Sequence, residues 1–182
     1  MKFVSTEIAG LTLVEPDVHR DERGFFLETY HQARYQEAGL EAVFVQDNHS
    51  RSSQGTLRGL HIQVGAKAQT KLVRAVRGRI WDVAVDVRIG SPTFGRWVGA
   101  ELSAENHTQF YIPAGMLHGF VVLSEEAEVE YKCSDFYHPE SEVSVLWNDP
   151  EIGIDWPTQD PILSERDRNA LPLSEVRSRL EA

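Results

Sequence analysis

The chain has one cysteine, Cys133, in 182 residues. That excludes an internal disulfide and a multi-cysteine metal centre, and it fits a reducing compartment. Basic residues are also in short supply, with 18 Lys and Arg against 28 Asp and Glu, so the formal net charge is −10. Such a surplus of acid argues against general affinity for nucleic acid, and any anionic ligand must be held by a local basic cluster. No apolar run is long enough to span a bilayer, and the opening MKFVSTEIAG lacks the apolar core of a signal peptide. The expectation is a cytoplasmic protein with no membrane partner. Internal repeats, low-complexity tracts and linkers are absent too, and 41% hydrophobic content is enough to bury one core, so residues 1–182 read as a single domain.

What is present is strand signal. LTLVEP, GFFLETY, AVFVQDN, TLRGLHIQ, KLVRAVRG, RIWDVAVDVR, RWVGAEL, QFYIPAG, GFVVL, EVEYKC and VSVLW are short, rich in β-branched and aromatic residues, and separated by turn residues. HQARYQEAG reads as an early helix stopped by Gly39, and SERDRNAL and SEVRSRLEA read as short helical pieces near the end. So many close-spaced strands predict an all-β, cupin-like jelly-roll barrel with a few short peripheral helices. In RIWDVAVDVR, Trp81, Val83, Val85 and Val87 alternate with a more polar face of Asp82, Ala84, Asp86 and Arg88, and Arg77-Gly78 just before it suits a tight turn.

Small barrels can hold a ligand among inward-facing residues, which makes strand parity informative. Lys71 shares a face with Val73 and Ala75, and Tyr131 shares one with Val129 and Cys133, so both point inward if the apolar faces do. In TLRGLHIQ, strict alternation sets Arg58 opposite His61. Both can enter one site only if the strand bulges, which Gly59 permits.

The segments DERGFFLETY, QDNHS with LRGLH, AQTKLVR, PAGMLHGF and EYKC, in that order from about Pro16 to Leu173, resemble the dTDP-4-dehydrorhamnose 3,5-epimerase family of deoxysugar biosynthesis. The resemblance implies inversion of C3 and C5, both alpha to the C4 ketone of a dTDP-sugar. Such chemistry needs a base, a cation at the enolate oxygen and an acid on the opposite face, and requires neither a redox cofactor nor a metal. By resemblance His61 is the base, Lys71 the enolate stabiliser, Tyr131 the acid, and Asp167 the carboxylate paired with the base. Ser164-Glu165-Arg166-Asp167 also reads as a capping box, so Asp167 has two readings.

The same resemblance assigns substrate contacts to Arg23, Arg58 and Arg166 at the diphosphate, and to Phe25 and Tyr137 around the thymine. Glu28, Gln46, Asp47, Asn48, His118 and Glu142 fill the remaining contact positions. Asp82 is a candidate to orient a histidine, or else an exposed carboxylate. Family members are homodimers with exchanged N-terminal strands, so Arg23, Phe25 and Glu28 would complete the neighbour's site. Ile62, Tyr111 and Met116-Leu117 depart from common family wording and leave the regiochemistry open between double and single inversion. A metal-dependent cupin is the rival suggested by PAGMLH, but the usual His-x-His partner is replaced by His61-Ile62-Gln63. A non-catalytic sugar-nucleotide binder is the second rival, and it would have no need of Lys71 and Tyr131.

Overall fold

The computed structural model describes residues 1–180. The chain runs β1 (Lys2–Ser5), β2 (Thr12–Glu15), β3 (Val18–Asp21), β4 (Gly24–Leu27), α1 (Gln32–Glu37), β5 (Gln46–Ser53), β6 (Leu57–Gln63), β7 (Lys71–Arg77) and β8 (Arg79–Asp86). It continues through β9 (Trp97–Ser103), β10 (Gln109–Ile112), β11 (Met116–Val122), β12 (Glu126–Cys133), β13 (Glu142–Ser144), α2 (Glu165–Arg168) and α3 (Leu173–Leu180). Two antiparallel sheets form, ordered β1-β2-β10-β7-β12-β5 and β13-β6-β11-β8-β9, while among the described residues β3 and β4 pair only with each other. Strands adjacent in a sheet are mostly distant in sequence, the signature of a jelly roll. Among the described residues no helix is long and apolar enough to cross a membrane.

Three apolar clusters hold this arrangement. Between the sheets lie Val73, Ala75, Ile80, Ala84, Leu102, Phe110, Phe120 and Val129. The outer face of the second sheet, including Leu57, Leu60, Val83, Val85 and Leu117, is covered by the C-terminal segment through Ile152, Trp156, Leu173 and Val176. The outer face of the first sheet carries Val14, Leu72 and Tyr111 beneath Tyr35 of α1 and Leu40. Because both faces of β8 are covered, its polar-face residues Asp82 and Asp86 are fully buried rather than exposed.

The strand boundaries differ from the sequence reading in instructive places. AVFVQDN is not a strand through its apolar half: pairing starts at Gln46 and continues to Ser53, while Ala42 and Phe44 pack onto the outer cluster. Apolar content there marks a cover, and the polar run QDNHSRSS does the pairing because one of its faces lines a cavity and the other is charged. VSVLW contributes only as far as Ser144, with Val145 making an isolated bridge to Leu171. The strands at Lys2–Ser5 and Val18–Asp21 have little apolar alternation and were not legible. Gly78, with φ 69°, turns the chain from one sheet into the other rather than closing a hairpin within one. The end of SEVRSRLEA, residues 181–182, lies outside the described residues.

Candidate active site

At one end of the space between the sheets, side chains replace the apolar filling with a cavity of about 780 Å³. The first sheet supplies Lys71 from β7, Tyr131 and Cys133 from β12, and Gln46, Asn48 and Ser50 from β5. Strand parity therefore holds for Lys71 and Tyr131, since Val73, Ala75 and Val129 on the same faces belong to the inter-sheet core. The second sheet supplies Arg58 and His61 from β6 and His118 from β11.

Arg58 and His61 reach the same cavity because β6 bulges. His61 pairs with His118 and Arg58 with Phe120, so three steps along β6 match two along β11. Leu57 and Leu60 are thereby sent to the outer cluster. Gly59, at φ +126°, makes this possible. A Cβ there would lie 2.6 Å from Gly119 Cα and 2.8 Å from the His118 carbonyl oxygen.

The two readings of Asp167 are resolved by a division of labour. Ser164 caps α2, its Oγ accepting from the Asp167 backbone N–H at 3.1 Å. The Asp167 carboxylate, 3% exposed, does not complete the capping box but lies 2.5 Å from His61 Nε2. Burial pushes this carboxyl up, yet the His61 hydrogen bond, with Ser164 and Arg166 nearby, outweighs burial and holds it below the ordinary aspartate value. As acceptor, Asp167 takes the Nε2–H and leaves the imidazole lone pair on Nδ1.

Arg166 places Nη2 at 3.0 Å from His61 Nε2 and pairs through Nη1 with Glu142. The Tyr137 hydroxyl donates to the same Glu142 carboxylate at 3.0 Å, so the cavity rim is tied to the His61–Asp167 pair. On the adjacent strand His118 Nε2 sits 2.8 Å from Asp82 Oδ1, with both side chains buried. Burial lowers the Lys71 ammonium from its usual range, opposed by Cys133, Glu142 and Asp82. Burial also raises the Tyr131 phenol, keeping it a proton donor at neutral pH.

Four expected contacts do not reach this cavity within the chain. Asp47 points to the other side of β5, where Lys132 Nζ donates to it at 3.0 Å. The period of two that turns Gln46 and Asn48 inward turns Asp47 outward. Arg23 is bound to Asp21 at the tip of the β3–β4 hairpin. Phe25 is 57% exposed and lies against His107, ring centroids 4.8 Å apart. Glu28 pairs with Arg34 at 2.9 Å.

Sequence reasoning missed Ser50 and Gln63. Ser50, whose buried Oγ has no partner among the described residues, follows Gln46 and Asn48 on the inward face; extending the same parity would have found it. Gln63 donates to the carbonyls of Lys67 and Phe136 and accepts from the His138 N–H at 2.6 Å, fixing the loop that carries Tyr137. Only the tertiary structure reveals that clasp. Among the described residues no three His, Cys, Asp or Glu side chains converge as a metal-ligand set.

The family model described as dTDP-4-dehydrorhamnose 3,5-epimerase matches residues 5–175. The chain is 59% identical over 170 residues to the dTDP-4-dehydrorhamnose 3,5-epimerase of Pseudomonas aeruginosa, covering 92% of this chain and 93% of that one. It is 53% identical over 177 residues to the enzyme of the same name from Methanothermobacter thermautotrophicus, with 96% and 95% covered. Among solved structures, the dTDP-6-deoxy-D-glucose-3,5-epimerase of Legionella pneumophila, in complex with dTDP-4-keto-L-rhamnose, superposes with a TM-score of 0.94 at 50% identity, covering 98% of this chain and 96% of that one. Since the similarity runs through both sheets and through the C-terminal α2 that brings Asp167 to His61, the chain belongs to the dTDP-4-dehydrorhamnose 3,5-epimerase family.

Proposed function

We propose that this chain inverts C3 and C5 of dTDP-4-dehydro-6-deoxy-D-glucose, giving dTDP-4-dehydro-L-rhamnose through enolate intermediates, as one jelly-roll domain working in the cytoplasm. The observation that supports this most is that His61–Asp167 from one wall and Lys71 and Tyr131 from the other open into a single cavity. At about 780 Å³ the cavity is within the range of small-molecule sites, roughly 300–1,000 Å³. His61 removes a proton alpha to the ketone, and Asp167 stabilises the imidazolium that forms. The Lys71 ammonium meets the oxygen on which charge develops. Tyr131, on the opposite sheet, returns a proton to the other face of the carbon.

Arg58 and Arg166 hold the diphosphate by charge-assisted hydrogen bonds, Tyr137 stacks on the base, and Gln46, Asn48, His118 and Glu142 contact the substrate. Asp47 is left out of this set because its side chain faces away. Arg23, Phe25 and Glu28 serve a neighbouring copy in a homodimer, a reading supported by a hairpin that leaves Phe25 and Phe26 57% and 70% exposed. Sedimentation that finds a fully active monomer would remove the exchange.

Proton NMR of the purified protein with dTDP-4-dehydro-6-deoxyglucose in deuterium oxide tests the reaction. Deuterium is expected at both carbons flanking the ketone; no incorporation would leave only a binder, and incorporation at one carbon would make a mono-epimerase. In the same experiment Tyr131→Phe is expected to exchange the first carbon faster than it completes inversion. Equal loss of exchange and inversion would show that the phenol is not the second-face acid.

The pH dependence follows from Lys71. Its charged form is the working one and burial lowers its pKa, so kcat is expected to fall with rising pH before an ordinary lysine, at about 10.4, would titrate. Tyr131, raised by burial, stays protonated over that range and does not supply the limb. Lys71→Arg, whose guanidinium does not deprotonate, is expected to retain low turnover with the alkaline limb moved up. A limb unmoved in that variant would assign it elsewhere.

A further inference from the structure

Asp82 enters the account above only as one of three groups that oppose the lowering of Lys71, and its placement is costly. It lies on the inner face of β8 between Ile80 and Ala84, both members of the inter-sheet core, and is 0% exposed. Only one of its carboxylate oxygens is used: Oδ1 faces His118 Nε2 at 2.8 Å, and buried Oδ2 has no partner among the described residues. A half-satisfied carboxylate in an apolar core opposes folding, and an uncharged group of similar shape there would be more favourable.

The same strand shows what a purely structural aspartate looks like. Asp86, also 0% exposed, uses both oxygens: Arg88 and its backbone N–H bond Oδ1, while Arg88, Ser91 and Thr93 bond Oδ2. The fold can therefore satisfy a buried carboxylate on β8 completely, and at Asp82 it does not. What Asp82 does touch is a ring on the cavity wall. His118 is the direct cross-strand partner of His61, so the two imidazoles stand side by side, each tied through Nε2 to a buried carboxylate. Asp82 itself does not line the cavity.

We propose that Asp82 is a positioning residue that fixes His118 in the Nε2–H tautomer and in one ring orientation, so that its free Nδ1 meets the sugar beside the carbon His61 deprotonates. A histidine with two open nitrogens samples both tautomers and more than one orientation, and a carboxylate on one nitrogen removes that freedom. The inference rests on the epimerase reading of the site. It predicts a residue that costs stability and serves rate.

Asp82→Asn tests it. Relative to wild type, kcat is expected to fall about ten- to a hundredfold, the scale by which carboxylates that orient metal-bound histidines act. KM for the dTDP-sugar should stay within about twofold, and the melting temperature should be unchanged or higher. In a His118→Asn background the same substitution should have no further effect on kcat. A kcat within threefold of wild type, a variant that fails to fold, or an equally large loss in the His118→Asn background would each overturn the proposal. Nitrogen-15 NMR of the wild-type histidines gives an independent reading: a single Nε2–H tautomer for His118 supports it, and a mixture overturns it. If wild-type protein fails to incorporate deuterium from solvent, the epimerase reading falls instead, and the tautomer measurement still judges Asp82.

Discussion

His61→Ala is expected to lower kcat by about a hundred- to ten-thousandfold, the usual contribution of a positioned base, while dTDP binds with nearly unchanged affinity. At about 1.4 kcal/mol per tenfold, that is about 3–5.5 kcal/mol of transition-state stabilisation. The loss falls on kcat because the imidazole acts on a proton that moves only in the reaction, whereas the diphosphate and base are gripped elsewhere in the cavity, by Arg58 and Tyr137 under the proposed function. Asp167→Asn should follow in the same direction, since an amide can present its N–H to Nε2 and favour the wrong tautomer. Rates from proton NMR and dTDP affinity from calorimetry separate the two effects. A variant that keeps turnover within threefold of wild type would remove His61 from the chemistry; one that loses dTDP binding in parallel would make it a binding residue.

Gly59→Ala is expected to destabilise the fold by roughly 2–6 kcal/mol, combining about 1–3 for a non-glycine residue held at positive φ with about 1–3 for overpacking. The backbone sits at φ +126°, and the added methyl would meet the backbone of Gly119 and His118 at 2.6 and 2.8 Å. Those atoms belong to β11, hydrogen-bonded on both sides by β6 and β8, so they cannot move aside as a flexible side chain would. Against a typical total of about 5–15 kcal/mol, the loss is enough to leave much of the protein unfolded. Gly24 is the natural control. It has φ +125° with nothing within 4 Å of its would-be Cβ, so Gly24→Ala should show the backbone term alone. Urea denaturation of both variants measures the difference, and equal midpoints would mean that the close approach of β6 to β11 contributes nothing.

Parts of the site were legible for reasons that are purely local. A strand repeats every two residues, so Lys71 follows Val73 and Ala75 into the barrel, and Tyr131 follows Val129, whatever the rest of the chain does. The same rule, applied to QDNHS, separates Gln46 and Asn48 from Asp47; lacking an apolar face, that run reads as a strand only at its start, where AVFV precedes QDN. Asp82 illustrates the opposite limit. Its alternation puts it on the more polar face and leaves it either orienting a histidine or exposed, and only the covering of both sides of β8 makes that face an interior one.

By itself the sequence determined the class of fold, the inward faces of β7 and β12, and, through its ordered motifs, the family. It could not decide where Asp167 bonds, because Ser164 is three residues from it while His61 is 106 away, and only packing α2 against β6 brings the imidazole within reach. Nor could it put Arg58 and His61 in one cavity. Gly59 allows a bulge, but the register that β11 imposes on β6 is a contact between strands that are more than fifty residues apart. Local periodicity is written in neighbouring residues, whereas the meeting of distant side chains depends on how both sheets close, which no local stretch encodes.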